Sequence, residues 1–173
     1  MKKNSQADSV GQLCPNCGLC CNGVLFADVE LKKGDDARRL AELGLSLKKK
    51  GRKQAFAQPC ACFDGSLCRI YPERPSYCRA FECRLLKKVQ AGEVETKTAL
   101  KIIAEARRRV EMVRKILHRL GQNNERLALT ARYSQAMSEP IDLSGPKDSV
   151  GLRGELMLAF EELMQTLQRD FLK

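Results

Sequence analysis

Cys14-Pro15-Asn16-Cys17-Gly18-Leu19-Cys20-Cys21 carries four thiols in eight residues. Cys-x-x-Cys puts two sulfurs on one tight turn, and the next x-x-Cys adds a third with little further ordering of the chain. Thiolates gathered at such separations are the usual means of holding zinc or an iron–sulfur cluster. Cys21 is the unusual member. Adjacent side chains diverge, so Cys20 and Cys21 are expected to face different metals or different irons.

A second group follows as Cys60-Ala61-Cys62-Phe63-Asp64-Gly65-Ser66-Leu67-Cys68, then Cys78 and Cys83. Its spacings are too wide for a local knuckle. If Cys78 and Cys83 shared one helix they would lie about 140° apart around it, so one would face one site and the other a second. The simplest arrangement interleaves ligands from both groups and ties residues 14–21 to 60–83, which makes metal binding part of the folding energy. The candidate ligands are Cys14, Cys17, Cys20, Cys21, Cys60, Cys68, Cys78 and Cys83. Cys60 is favoured over Cys62, which is one more than a pair of four-ligand sites needs. The chain has one histidine, His118, read as a partly exposed helix residue far from the thiols. The site is therefore essentially all-sulfur. Tyr71, Arg74 and Arg79 are candidates for supporting it, with bracing through carbonyls preferred to hydrogen bonds on sulfur.

The 173 residues suit one domain, or a small domain with a helical extension, and 43% hydrophobic residues permit a core. The net charge is +10, with 17 Lys and Arg against 9 Asp and Glu in residues 1–92. A basic chain suggests nucleic acid. A plainer reading carries more weight: four thiolates on one zinc leave −2, and eight on two zincs bring the chain to about +6. The N-terminal residues lack the apolar region of a secretory signal, and no run approaches the length of a membrane span. A cytoplasmic location with reduced thiols is expected, which with the odd count of nine argues against disulfides.

Residues 1–12 are polar and expected to be a disordered tail. Residues 13–92 form the cysteine domain, with a short strand near 25–31, a helix from Asp35 to about Lys50, a loop over 51–59, irregular chain over 60–83 and a helix over 76–91. Residues 93–173 form a helical extension, with helices at about 96–120, 124–137 and 151–171 and a linker over 139–149. Ala99, Ile103, Ala106, Val110, Val113, Leu117 and Leu120 stripe the first of these helices. Leu152, Leu156, Phe160, Leu163, Leu167 and Phe171 stripe the last. The two stripes predict antiparallel packing, within the chain or in a homodimer. The fold class is mainly α, with an irregular cysteine-rich metal-binding module and small or no β content.

The four-cysteine run, together with Cys68-Arg69-Ile70-Tyr71-Pro72-Glu73-Arg74-Pro75-x2-Cys78-Arg79-x-Phe81-x-Cys83, resembles the CxxCxxCC zinc- or iron-chelating family, the YkgJ-like cysteine cluster proteins. The resemblance covers about residues 14–83 and implies a small bacterial chelating protein; Cys62 is extra to its pattern. Similar cysteine patterns occur in flagellin lysine methylases, where they are associated with an iron–sulfur cluster. That resemblance raises the iron–sulfur reading, 4Fe-4S slightly ahead of zinc.

No Ser-His-Asp set, P-loop, dinucleotide motif or paired-carboxylate signature is present, and a catalytic cysteine would need a nearby base. The preferred function is a non-enzymatic metal-binding module whose C-terminal helices bind a protein partner. An iron–sulfur-dependent modifying or redox enzyme is the alternative by analogy. Nucleic-acid binding through residues 48–53 and Arg107-Arg108-Arg109 comes third, since such runs are more often solvated faces.

Overall fold

The computed structural model describes residues 4–140 and 148–172. Seven helices and three strands follow in the order α1 (Asn4–Cys17), β1 (Asp28–Glu30), α2 (Ala37–Glu42), β2 (Leu47–Lys50), β3 (Lys53–Ala57), α3 (Ser76–Ala80), α4 (Arg84–Gln90), α5 (Thr96–Arg119), α6 (Leu129–Ser138) and α7 (Asp148–Asp170), with a 3-10 turn at Tyr71–Glu73. The chain is mainly α with one small sheet.

The apolar stripe of α5 is buried, with Ala99, Ala106, Val113 and Leu117 at 2% exposure or less. It packs against the stripe of α7, where Leu156, Leu163, Leu167 and Phe171 are equally buried. Arg109 pairs with Glu162 at 2.6 Å and Arg119 with Glu155 at 3.4 Å, so the two helices run antiparallel within the chain. Deleting a side chain from the middle of this seam leaves a cavity that the long helices cannot collapse around. Leu156→Ala is expected to lower stability by about 2–5 kcal/mol in denaturant titrations.

Several elements differ from the sequence reading. The stretch read as a disordered tail is helical from Asn4 and runs on to Cys17. Buried Leu13 anchors its end in the helical core, where α1 meets α4 and α5. The helix expected to reach Lys50 stops at Glu42. Gly44 adopts φ +101°, a conformation that side chains disfavour, and the chain then turns into β2. Residues 51–59, read as loop, contain β3, which pairs antiparallel with both β1 and β2. Lys50 and Lys53 reach across this sheet to Asp28 and Glu30 at 2.7 Å.

The helix expected over 76–91 is two helices. Phe81 is extended, and Cys83 caps α4 by accepting the Leu86 N–H on its Sγ at 3.4 Å. The helix expected from residue 124 begins at Leu129, because the Asn124 side chain accepts from the Arg126 N–H and holds a local turn. Of the linker expected over 139–149, residues 141–147 lie outside the described residues. Two cores result. The larger joins α1, α4, α5, α6 and α7; the smaller gathers Val29, Leu40, Leu45, Phe56, Cys62 and Ile70 around the sheet.

Candidate metal centre

Cys14 and Cys17 lie three residues apart on the last turn of α1, hence on one face of it. Gly18 ends the helix at φ +70°, with its N–H on the Cys14 carbonyl at 3.2 Å. A side chain there would meet the Phe63 ring at 2.8 Å, so the turn carrying Cys20 and Cys21 closes directly onto the second cysteine segment. The Cys60 N–H donates to the Cys21 carbonyl at 2.8 Å and joins the two segments. Cys68 pairs with Phe63 across a tight turn held by Asp64, whose carboxylate accepts from the Ser66 and Leu67 N–H groups. Cys78 sits on α3, and Cys83 at the start of α4.

All nine cysteines are free thiols. Eight of them border one cavity of about 400 Å³: Cys14, Cys17, Cys20, Cys21, Cys60, Cys68, Cys78 and Cys83. Cys62 does not. It is fully buried in the sheet core and donates its S–H to the Leu43 carbonyl at 3.4 Å. Two neighbourhoods divide the eight. Cys17 and Cys20 each feel the charge of Cys14 and Cys83. Cys21 and Cys78 each feel Cys60 and Cys68. Cys20 also feels Cys21, and Cys14 reaches both, but the strongest thiol neighbours of Cys20 are Cys17 and Cys83, a first set, and those of Cys21 are Cys60 and Cys68, a second. The first set leans on the helical core through Cys17 and Cys83; the second leans on the sheet core through Cys60, Cys68 and Cys78.

Burial, with neighbouring thiols adding to it, pushes the Cys21 and Cys78 thiols up to about 12. Burial raises Cys17 to about 12 as well, against the opposing pull of the Leu19 N–H and Arg107. It takes Cys60 to about 11 and Cys20 well above the ordinary thiol range. Such groups stay protonated at neutral pH unless a cation replaces the protons. The donor set fits a thiophilic metal: eight sulfurs, apolar walls and, among the described residues, no competing carboxylate on the cavity. Gln58 Oε1, buried and without a hydrogen-bond partner among the described residues, belongs to a residue on the same wall. Among the described residues, no three Cys, His, Asp or Glu side chains stand close enough together to grip a single ion.

Arg74 borders the cavity, donates its Nε–H to the Tyr71 carbonyl at 3.0 Å and stacks its guanidinium on the Tyr71 ring at 3.6 Å. Its charge reaches both Cys14 and Cys78. Arg79 is turned to the Ser76 hydroxyl instead and does not border the cavity. His118 is exposed on α5. Asp35, expected only to start a helix, supports the second cysteine segment. Asp35 accepts from the Ser76 N–H at 2.8 Å and the Ser76 hydroxyl at 2.6 Å, fixing the first turn of α3. Burial opposes its charge, but these bonds and the Lys32 N–H outweigh burial and hold its carboxyl below the usual range. Asp35→Ala is expected to cost about 1–2 kcal/mol and to loosen the α3 turn, read as faster amide exchange at Cys78. Arg107, read as part of a solvated face, clasps the Asn16 carbonyl at 2.8 Å, and Arg114 clasps the Asn22 carbonyl at 3.5 Å.

No curated protein and no solved structure matches this chain. The model of the CxxCxxCC family, described as "Putative zinc- or iron-chelating domain", matches residues 13–108. The matched segment holds all nine cysteines and runs on into α5, as far as the arginine that clasps the end of α1. The chain therefore belongs to the CxxCxxCC family of zinc- or iron-chelating domains.

Proposed function

We propose that the chain is a non-enzymatic metal-binding module with two four-thiolate centres. Cys14, Cys17, Cys20 and Cys83 hold one; Cys21, Cys60, Cys68 and Cys78 hold the other. The observation that carries this reading is the single cavity bordered by eight thiols from both segments, with Cys62 turned away from it. Arg74 places one positive charge between the two sets, and the Leu86 N–H supports the Cys83 sulfur.

Between zinc and iron–sulfur, the Cys-x2-Cys-x2-Cys spacing of Cys14, Cys17 and Cys20 supports the cluster. Thiolates on one zinc converge to about 2.3 Å from a common point. These eight thiols border one cavity of about 400 Å³. A 4Fe-4S centre takes one thiolate at each corner and supplies electron transfer or a structural tie when bound. The chain's own part is to keep the sulfurs dry, neutralise charge through Arg74 and Arg107, and link two cores.

Elemental analysis with an absorption spectrum on anaerobically purified protein tests this. Brown protein with iron and acid-labile sulfide is expected. Colourless protein with stoichiometric zinc would remove the cluster and leave the chelating reading intact, whereas protein without metal would sink both. Against nucleic acid, Lys50, Lys53, Arg108 and Arg109 are each paired with a carboxylate of the same chain.

A further inference from the structure

A second cavity, of about 310 Å³, lies behind the cysteine loop between α5 and the segment leading into α6. Three guanidinium groups border it: Arg107 and Arg114 from α5, and Arg132 from α6. Arg132 is the unusual one. It is only 3% exposed, it donates one Nη–H to the Gln122 carbonyl at 2.5 Å, and its Nε–H is buried without a partner among the described residues. An unmade hydrogen bond on a buried charged group costs far more than a surface arginine would. Balancing the thiolates does not account for it. Arg107 is the arginine whose charge reaches Cys17, whereas the charges acting on Arg132 are Glu125 and Arg114.

Two carboxylates also border the cavity. Glu111 is spoken for by Arg114 at 2.9 Å, and Glu125 is exposed at the rim. Arg107 faces Cys17 and Arg114 holds Glu111, which leaves Arg132 as the guanidinium on this cavity with a buried donor unused among the described residues. The remaining wall includes Val110, Leu127, Leu129 and Phe63. The volume is that of a small-molecule site, with an apolar wall and a few placed polar groups.

We infer that this cavity binds a small carboxylic acid with a short apolar body, its carboxylate received by Arg132 and Arg114 and its body laid against Val110, Leu127 and Leu129. A planar carboxylate matches the donor fork of a guanidinium. Cys17 and Cys60 border this cavity and the thiol cavity alike, so the ligand would lie one side chain away from both thiol sets.

The test uses the full, metal-loaded chain and sodium butyrate, with inorganic phosphate and sodium chloride at matched ionic strength. Butyrate is expected to move the Arg132 Nε–H resonance saturably, and to raise Tm by about 4 °C at ten times Kd. Arg114→Gln and Arg132→Gln should each weaken butyrate at least about tenfold. If Arg132→Gln fails to fold, Arg114→Gln and the wild-type resonance decide. An unmoved resonance, an equal response to chloride, or tighter binding of phosphate than butyrate would overturn the proposal. None of these outcomes touches the metal content, so the chelating reading stands or falls separately.

Discussion

Cys20→Ser and Cys21→Ser are each expected to remove about half of the bound metal, and from different centres. The two residues are neighbours in the chain, yet Cys20 feels Cys17 and Cys83 most strongly among the thiols, and Cys21 feels Cys60, Cys68 and Cys78. Replacing one sulfur of four leaves a site that a tetrahedral ion or a cluster holds poorly. Structural zinc sites contribute on the order of 10 kcal/mol to folding, so each loss should also lower Tm sharply. The double variant should hold no metal, and Cys62→Ser should hold the full amount. Elemental analysis of the four proteins decides the matter. One single variant losing everything, or both keeping everything, would mean that the eight thiols do not act as two sets.

That division was half visible in the sequence. Adjacent side chains diverge, which separates Cys20 from Cys21 without any coordinates, and the helical stripes of α5 and α7 followed from period alone. What escaped the sequence was settled by partners distant in the chain. Lys48, Lys49 and Lys50 suit a helix end as well as a strand; pairing with β3 and the acids Asp28 and Glu30 decides for the strand. Residues 76–91 contain no breaker, yet the helix is cut where Phe81 is extended and the Cys83 sulfur caps α4 by accepting the Leu86 N–H. The local pattern of residues 4–12 is weakly apolar, and their helix leads into Leu13, which packs on the helical core. Asp35 reads as the start of a helix; the cap of α2 is its neighbour Asp36, whose side chain accepts from the Arg39 N–H. The unpaired Nε–H of Arg132 has no sequence signature at all, since an arginine in an amphipathic helix reads as surface.

Acid and alkali are expected to act in opposite directions on the loaded and the metal-free protein. In the metal-free protein Cys17, Cys21 and Cys78 titrate near 12 and Cys60 near 11, against an ordinary value of 9.0. The unfolded chain then loses these protons first as pH rises. Stability is therefore fully present below about pH 9 and is lost progressively as the pH climbs through 11 to 12. The loaded protein reverses the sign, because metal holds the same sulfurs as thiolates and acid must return the protons. Each set gives up four protons on binding a divalent ion. Apparent zinc affinity should thus rise by up to about four decades per pH unit between roughly pH 6 and 8, the full slope applying while all four thiols start protonated. Competition with a chelator of known proton dependence measures that slope. Anaerobic thermal melts of chelator-stripped protein measure the other arm. A metal-free protein that grows more stable above pH 9, or a zinc affinity indifferent to pH, would show that these thiols are neither buried together nor the groups that take the metal.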